Sequence, residues 1–229
     1  MALLVRTWNL FHGNAYAPRR RSFLREMIEL ASGDRPDVLC LQEIPVWALG
    51  RLGPWSGMRA FPAVARRGAP TTRLAGWATR LHNGLLRSAL TGQANAILVR
   101  SDHEADDLGE EPVSDAGRER RVCQAVRVDG STVIANTHLS SRGTEQRAEL
   151  ERMRAFAESH ALPGDVVVLA GDFNIADPVL DGYSAAGPGI DHVLVRGAPA
   201  APPVVWPVER RRHTGVVLSD HAPVEVRVG

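Results

Sequence analysis

The chain has no lysine: all 27 of its basic residues are arginine. Guanidinium groups suit bidentate phosphate contact, but so complete a replacement reads as a compositional bias rather than a functional choice. Cysteine is scarce too. Cys40 and Cys123 are the only two, each inside an apolar strand-like run, which predicts core thiols rather than a disulfide. No apolar run approaches the roughly 20 residues of a membrane helix. Residues 1–10 have no basic n-region, long apolar stretch or small-residue cleavage site, so a soluble cytoplasmic protein with no membrane span is expected. The formal net charge is +1, so bulk charge does not mark a nucleic-acid binder and any basic surface has to be local. No repeat occurs at solenoid periods. With 229 residues and 44% hydrophobic content, one large core is expected, hence a single domain over residues 1–229 and a monomer.

What is present centres on residues 166–174, V-V-V-L-A-G-D-F-N. Val166 to Ala170 form an unbroken apolar run, as in a strand buried on both faces. Gly171 is expected to end it. Asp172 and Asn174 follow, two apart, so in extended geometry a carboxylate and an amide point to one side at the mouth of a rigid strand. Taken alone, G-D-x-N also fits a turn.

Along the chain, Leu3, Leu4 and Val5 open a strand that ends at Trp8 and Asn9, and Phe23, Leu24, Met27, Ile28 and Leu30 give residues 19–31 a helical apolar face. Val38 to Leu41 form a second buried strand with Gln42 and Glu43 at its end, so a strand-helix-strand unit brings Asn9 and Glu43 to one sheet edge. A strand is predicted over 58–65, then a helix over about 71–90, on which Arg73, Arg80 and Arg87 fall seven apart. That stripe is either a solvated flank or a track for phosphates. Residues 94–99 form a strand, and 120–128 with 132–137 a hairpin around Asp129-Gly130. An amphipathic helix over 144–160 turns Ala148, Met153, Phe156 and Ala157 inward. Two Asp-His pairs, Asp191-His192 and Asp220-His221, begin strands, whereas Asn9, Glu43, His138 and Asp172 end theirs. In antiparallel sheets these ends coincide, so all six positions share one edge. Carboxylates and amides converging there suit a hard cation such as Mg²⁺ plus a phosphate. Zinc is disfavoured, because neither cysteine has ligand spacing and no His-Glu-x-x-His occurs.

Six short motifs occur in order: T-W-N at 7–9, L-Q-E at 41–43, N-T-H-L at 136–139, G-D-F-N at 171–174, I-D-H-V at 190–193 and S-D-H-A-P-V at 219–224. Together they resemble the endonuclease/exonuclease/phosphatase superfamily. The resemblance implies a four-layer α/β sandwich, two packed and mainly antiparallel sheets flanked by helices. It also implies a phosphoesterase dependent on Mg²⁺, with Mn²⁺ as a possible substitute. Carried onto this sequence, Glu43 is the principal metal ligand, with Asn9 beside it and Asp220 a further metal-site carboxylate. Asp172 activates the attacking water, Asn174 orients water and phosphate, His221 binds the scissile phosphate and Asp191 orients His221. His138 matches a histidine found in some branches. Arg120 or Arg121, of which alternation turns only one inward, and Asn95 are further phosphate-contact candidates. His12 and His192 read as structural.

The leading functional reading is hydrolysis of a phosphodiester in DNA or RNA, by endo or exo cleavage. A second is a phosphatase or phosphodiesterase acting on a small molecule or lipid head group. A third, a binding protein on the same fold, sits poorly with an intact set of site residues. Fold alone does not choose between the first two.

Overall fold

A computed structural model describes residues 2–66, 92–141, 144–184 and 187–229. The helix expected over 71–90, with Arg73, Arg80 and Arg87, lies outside the described residues. In chain order run β1 (Leu3–Asn9), β2 (Ala15–Tyr16), α1 (Leu24–Ser32), β3 (Val38–Ile44), α2 (Leu52–Ser56), β4 (Arg59–Arg66) and β5 (Gln93–Val99). Then follow β6 (Ala105–Pro112), β7 (Val122–Val128), β8 (Thr132–His138), α3 (Gln146–Ser159), β9 (Val166–Asp172) and β10 (Asp191–Arg196). Short strands β11 (Val204–Val205), β12 (Arg212–His213) and β13 (Val216–Leu218) precede β14 (Val224–Val228).

Two large sheets form, ordered β11-β14-β1-β3-β5-β4 and β10-β9-β8-β7-β6, with β12, β13 and β2 in a small third. Each large sheet has one parallel pair, β1 with β3 and β8 with β9, and among the described residues a helix connects the two strands of each. The other pairings are antiparallel. Strands of the central run are apolar on both faces, so each sheet must be covered twice. Trp8, Leu39 and Leu98 face outward against Leu24, Met27 and Ile28 of α1. Val133, Ala135 and Leu169 face outward on the second sheet against Leu150, Met153 and Ala157 of α3. Between the sheets Val5, Val38 and Ile97 meet Val126, Ile134 and Val168. The four-layer sandwich is thus the fold.

The seam between the sheets changes character along its length. On β1 the inner face runs from Leu3 and Val5 to Thr7 and Asn9, on β8 from Ile134 to Asn136 and His138, and on β9 from Val168 and Ala170 to Asp172. The antiparallel neighbours read in reverse, Gln93 and Asn95 before Ile97 on β5, and Asp191 before Val193 on β10. Burying a valine or isoleucine contributes about 1.5–3 kcal/mol, against about 0.5–1.5 kcal/mol net for a typical hydrogen bond. One end of the seam therefore holds the sheets together, and the other carries polar groups at little net gain. Gln42 Nε2 ties that end across the seam, donating to Thr7 Oγ1 at 3.0 Å and to Asn136 Oδ1 at 2.7 Å.

Several local expectations shift. Helix α1 begins at Leu24, leaving residues 16–21 exposed before it. Gly171 does not end β9, which continues through Asp172. On α3 it is Glu149, not Ala148, that turns inward, because Ser140 satisfies its carboxylate. Strand β6 was not expected from its exposed acidic sequence; it is an edge strand, where charges and Pro112 are tolerated. The hairpin forms as predicted, with Asp129 and Gly130 both at positive φ. Cys40 and Cys123 are buried and free, and burial holds both thiols well above their ordinary pKa.

Candidate active site

Asp172 closes β9 at the polar end of the seam. The strand reaches it only because position 171 is glycine: a Cβ there would lie 2.0 Å from the carbonyl oxygen of Thr137 on the parallel neighbour β8. Asp172 Oδ2 accepts Asn9 Nδ2 from the opposite sheet at 3.0 Å, and Oδ1 accepts the Asn174 backbone N–H at 3.1 Å. His138 Nε2 stands 3.5 Å and His221 Nε2 3.8 Å from Oδ2. His221 Nδ1 is 2.8 Å from Asp191 Oδ2. The Asn174 side chain donates to the Leu139 carbonyl at 3.0 Å, which fixes its amide beside Asp172. Asp172, Asp191 and His221 have ligand atoms all within 4.8 Å of one another.

Strict alternation would send Glu43 to the face opposite Gln42. Instead β3 bulges between Leu41 and Ile44, and Glu43 takes φ 54°. The extra residue swings its carboxylate back, to 3.3 Å from His12 Nε2 and 3.9 Å from His138 Nδ1. Asn174 (φ 52°) and Ser219 (φ 58°) are also left-handed. Such conformations cost on the order of 1–3 kcal/mol each for residues other than glycine, and here they sit in three of the six motifs. Ser219 uses its turn to donate from Oγ to the Asn9 carbonyl at 2.7 Å and to accept the His221 N–H at 3.1 Å.

The charges are unevenly compensated. Burial, then the neighbouring Asp191, pushes the Asp172 carboxyl well above the usual carboxylate range, against the pull of His221, Asn9 and the Asn174 N–H. For His221 burial opposes the charge, but the hydrogen bond and charge of Asp191, with Asp172 and Asp220, outweigh it and raise the pKa to about 9. Burial, then Arg121, His221 and His12, lowers His138 well below 6.5. His138 is therefore the neutral ring of the group. With Gln93 Nε2 donating to Nδ1 at 2.9 Å, the His138 proton sits on Nε2, facing Asp172.

Asn9, Glu43, His138, Asp172, Asn174, Asp191 and His221 are thus linked through successive contacts at one edge. Asp220 is next to them in the chain but exposed, 3.5 Å from Ser219 Oγ. Of the two candidate arginines, Arg121 is 6% exposed and close enough to depress His138. Arg120 points away, donating to the Val64 carbonyl at 2.5 Å. Asn95 ties β5 to the Val122 carbonyl at 3.1 Å, deeper in the seam. His192 is structural, its Nε2 donating to the Ile175 carbonyl at 2.6 Å and its Nδ1 accepting the Gly187 N–H at 2.9 Å. His12 was read the same way, yet its ring meets Glu43. Gln93 and Arg211 also escaped the sequence reading. Arg211 Nη1 reaches the carbonyls of Leu218, Ser219 and His221 at 3.0–3.1 Å, clamping the loop that presents His221. Nothing in the run Arg210-Arg211-Arg212 sets its middle member apart; for Gln93 the available signal was its place two residues before Asn95 on an inward face.

Residues 7–221 match the Endonuclease/Exonuclease/phosphatase family, and the chain belongs to that family. Its members are generally hydrolases of phosphoesters and generally use divalent metals. The fold is similar to that of an endonuclease/exonuclease/phosphatase from Beutenbergia cavernae DSM 12333, with TM-score 0.74 and 19% identity over 99% of this chain and 71% of that one. A functionally unknown conserved protein from Enterococcus faecalis V583 gives 0.72 and 14%, over 99% of both chains. TDP2 from C. elegans gives 0.68 and 17%, over 100% of this chain and 75% of that one. No curated protein matches the sequence. No helix among the described residues is long and apolar enough to cross a membrane.

Proposed function

We propose that the protein is a divalent-metal-dependent phosphodiesterase, with nucleic acid as its substrate and Mg²⁺ as its metal. The observation that carries this reading is the pairing at Asp172, where one carboxylate lies between a neutral imidazole, His138, and a charged one, His221. Hydrolysis of a phosphodiester needs a water deprotonated and negative charge on the phosphoryl oxygens stabilised. Asp172, held by Asn9 and Asn174, is the base for the water. The raised carboxyl pKa keeps it basic enough to accept that proton near neutral pH. His221, fixed by Asp191, presents a charged Nε2–H to a phosphate oxygen, and Arg121 adds positive charge behind His138.

The donor set fits a hard cation. Glu43 offers a carboxylate 3.9 Å from His138 Nδ1 at the edge where Asn9 ends β1, whereas His221 Nδ1 is already bonded to Asp191. Bound there, the metal would neutralise phosphate charge and lower the pKa of a water. Glu43 and Asn9 are the residues proposed to hold it, with Asp220 at the rim.

Activity should vanish in EDTA and return with Mg²⁺ or Mn²⁺. Glu43→Gln should abolish it while leaving the unfolding transition in place. The substrate panel is plasmid DNA, single-stranded RNA, bis-p-nitrophenyl phosphate and inositol phosphates. Full turnover in EDTA would end the metal reading, and turnover of inositol phosphates alone would move the substrate to the small-molecule class.

A further inference from the structure

A small third sheet, ordered β12-β13-β2, grows directly out of two site loops. Strand β2 follows His12 and Asn14, and β13 runs into Ser219-Asp220-His221; the Ser219 N–H donates to the Asn14 carbonyl at 3.0 Å where the two loops meet. Across this sheet Tyr16 is registered with Val217 and Val217 with Arg212, so Tyr16 and Arg212 share one face. Tyr16 is 65% exposed.

The segments that flank it are rich in arginine. Residues 16–25 contain Arg19, Arg20, Arg21 and Arg25 and no acid, and residues 210–219 contain Arg210, Arg211 and Arg212 and no acid. Four of these arginines are already engaged: Arg21 with Glu26, Arg25 with Glu29, Arg210 with Asp34, and Arg211 with the His221 loop. Arg19, Arg20 and Arg212 are exposed and form no ion pair among the described residues. In a chain of net charge +1, a local patch of this kind is the electrostatic footprint of a polyanion. An exposed ring sharing a face with the unpaired Arg212, and followed in the chain by Arg19 and Arg20, suits a single strand, whose bases stack without regard to sequence while the backbone meets the cations. Tyr16 is four residues from His12, at most about 13 Å away even for a fully extended chain, and so within a few nucleotides of the site.

We propose that the β2/β12/β13 sheet, with Arg19, Arg20, Arg212 and Tyr16, is the surface that leads a single-stranded nucleic acid into the active site. This rests on the phosphodiesterase reading and narrows its substrate to a polymer.

The test uses the full chain in EDTA, where no turnover is expected, with a fluorescent 20-nucleotide oligo(dT) and anisotropy as the readout. Each phosphate contact on a single strand contributes about 0.7 to the salt slope. Arg19→Gln/Arg20→Gln/Arg212→Gln should therefore flatten the slope by about 2 and weaken binding at low salt. Tyr16→Ala should weaken binding roughly 5- to 150-fold with little change in slope, as expected for one lost base stack, and Tyr16→Phe should restore it. An unchanged slope in the triple variant overturns the proposal, as does equal affinity for a 20-base-pair duplex with no dependence on Tyr16. Binding of phosphatidylserine vesicles, but not oligo(dT), through the same arginines also overturns it and makes the patch a membrane surface. Hydrolysis of bis-p-nitrophenyl phosphate by the unaltered protein tests the catalytic reading independently.

Discussion

The two ends of the inter-sheet seam both hold a histidine between two aspartates, and they are built to opposite purposes. At the apolar end His103 Nε2 meets Asp37 Oδ1 at 2.8 Å and Nδ1 meets Asp129 Oδ2 at 2.7 Å, joining the start of β3 to the β7–β8 turn. Asp37 also takes the Leu4 N–H at 2.6 Å and Arg100 Nη1 at 2.6 Å, and Asp129 takes the Glu104 N–H at 3.0 Å. Each acid there faces donors on several sides. At the polar end His221 lies between Asp191 and Asp172, but the two acids face each other, and Asp191 Oδ1 is buried without a partner among the described residues. A buried acceptor left unmatched costs about 1–3 kcal/mol. Natural folds tolerate such local conflict where function requires it. The same two residue types thus make a staple at one end and a reactive group at the other, and the difference lies in how many donors surround them.

The largest expected effect is on turnover at the polar end. Asp172→Asn and His221→Ala should each lower kcat by about a hundredfold or more, as for removal of a general base or a transition-state donor. Asp191→Asn should lose less, since it acts through His221. If the polar end contributes little to stability, Asp172→Asn in EDTA should unfold within about 1 kcal/mol of the parent. A large loss of stability without loss of turnover would invert the comparison. The next effect belongs to the apolar end: Asp37→Ala strands the Leu4 N–H and takes an acceptor from His103 and from Arg100, which keeps Asp102, and this should cost about 2–4 kcal/mol. For a chain of this size that lowers Tm by roughly 4–16 °C. Unchanged turnover at permissive temperature would complete the contrast, and an unaltered Tm would remove it.

Much of this was legible in the sequence, for a physical reason. Buried strands announce themselves as apolar runs, and polar residues at the ends of six such runs can share an edge only if the strands pair as they do. Asn9, His138, Asp172 and His221 needed nothing more. The unreadable part comes from breaks in periodicity. Glu43 reaches the site through a bulge, which alternation does not foresee. Glu149 is buried because Ser140, nine positions away, supplies two donors. Arg121 parts from Arg120 where β7 begins, at the point where strand alternation stops applying. His12 enters through a left-handed turn at φ 52° that carries no sequence mark beyond the glycine after it.

The smallest expected effect sharpens the comparison through pH. Burial works against a charged His103, but its hydrogen bonds to Asp129 and Asp37, and their charges, outweigh it and raise its pKa above the ordinary 6.5. The folded state therefore binds this proton more tightly than the unfolded chain does. Its contribution to stability is full below the unfolded pKa and is lost as pH rises through the folded one. Denaturant unfolding of the parent, measured in EDTA, should accordingly weaken as pH climbs from about 6.5 into the alkaline range. His103→Gln, which keeps a donor but does not titrate, should be less stable at pH 6 and converge with the parent at the alkaline end. Both proteins carry the same polar-end groups, so subtracting the curves removes titration of His221 and Asp172. A difference that does not change with pH would mean that His103 is held by its shape and hydrogen bonds alone, and the staple would then owe nothing to charge.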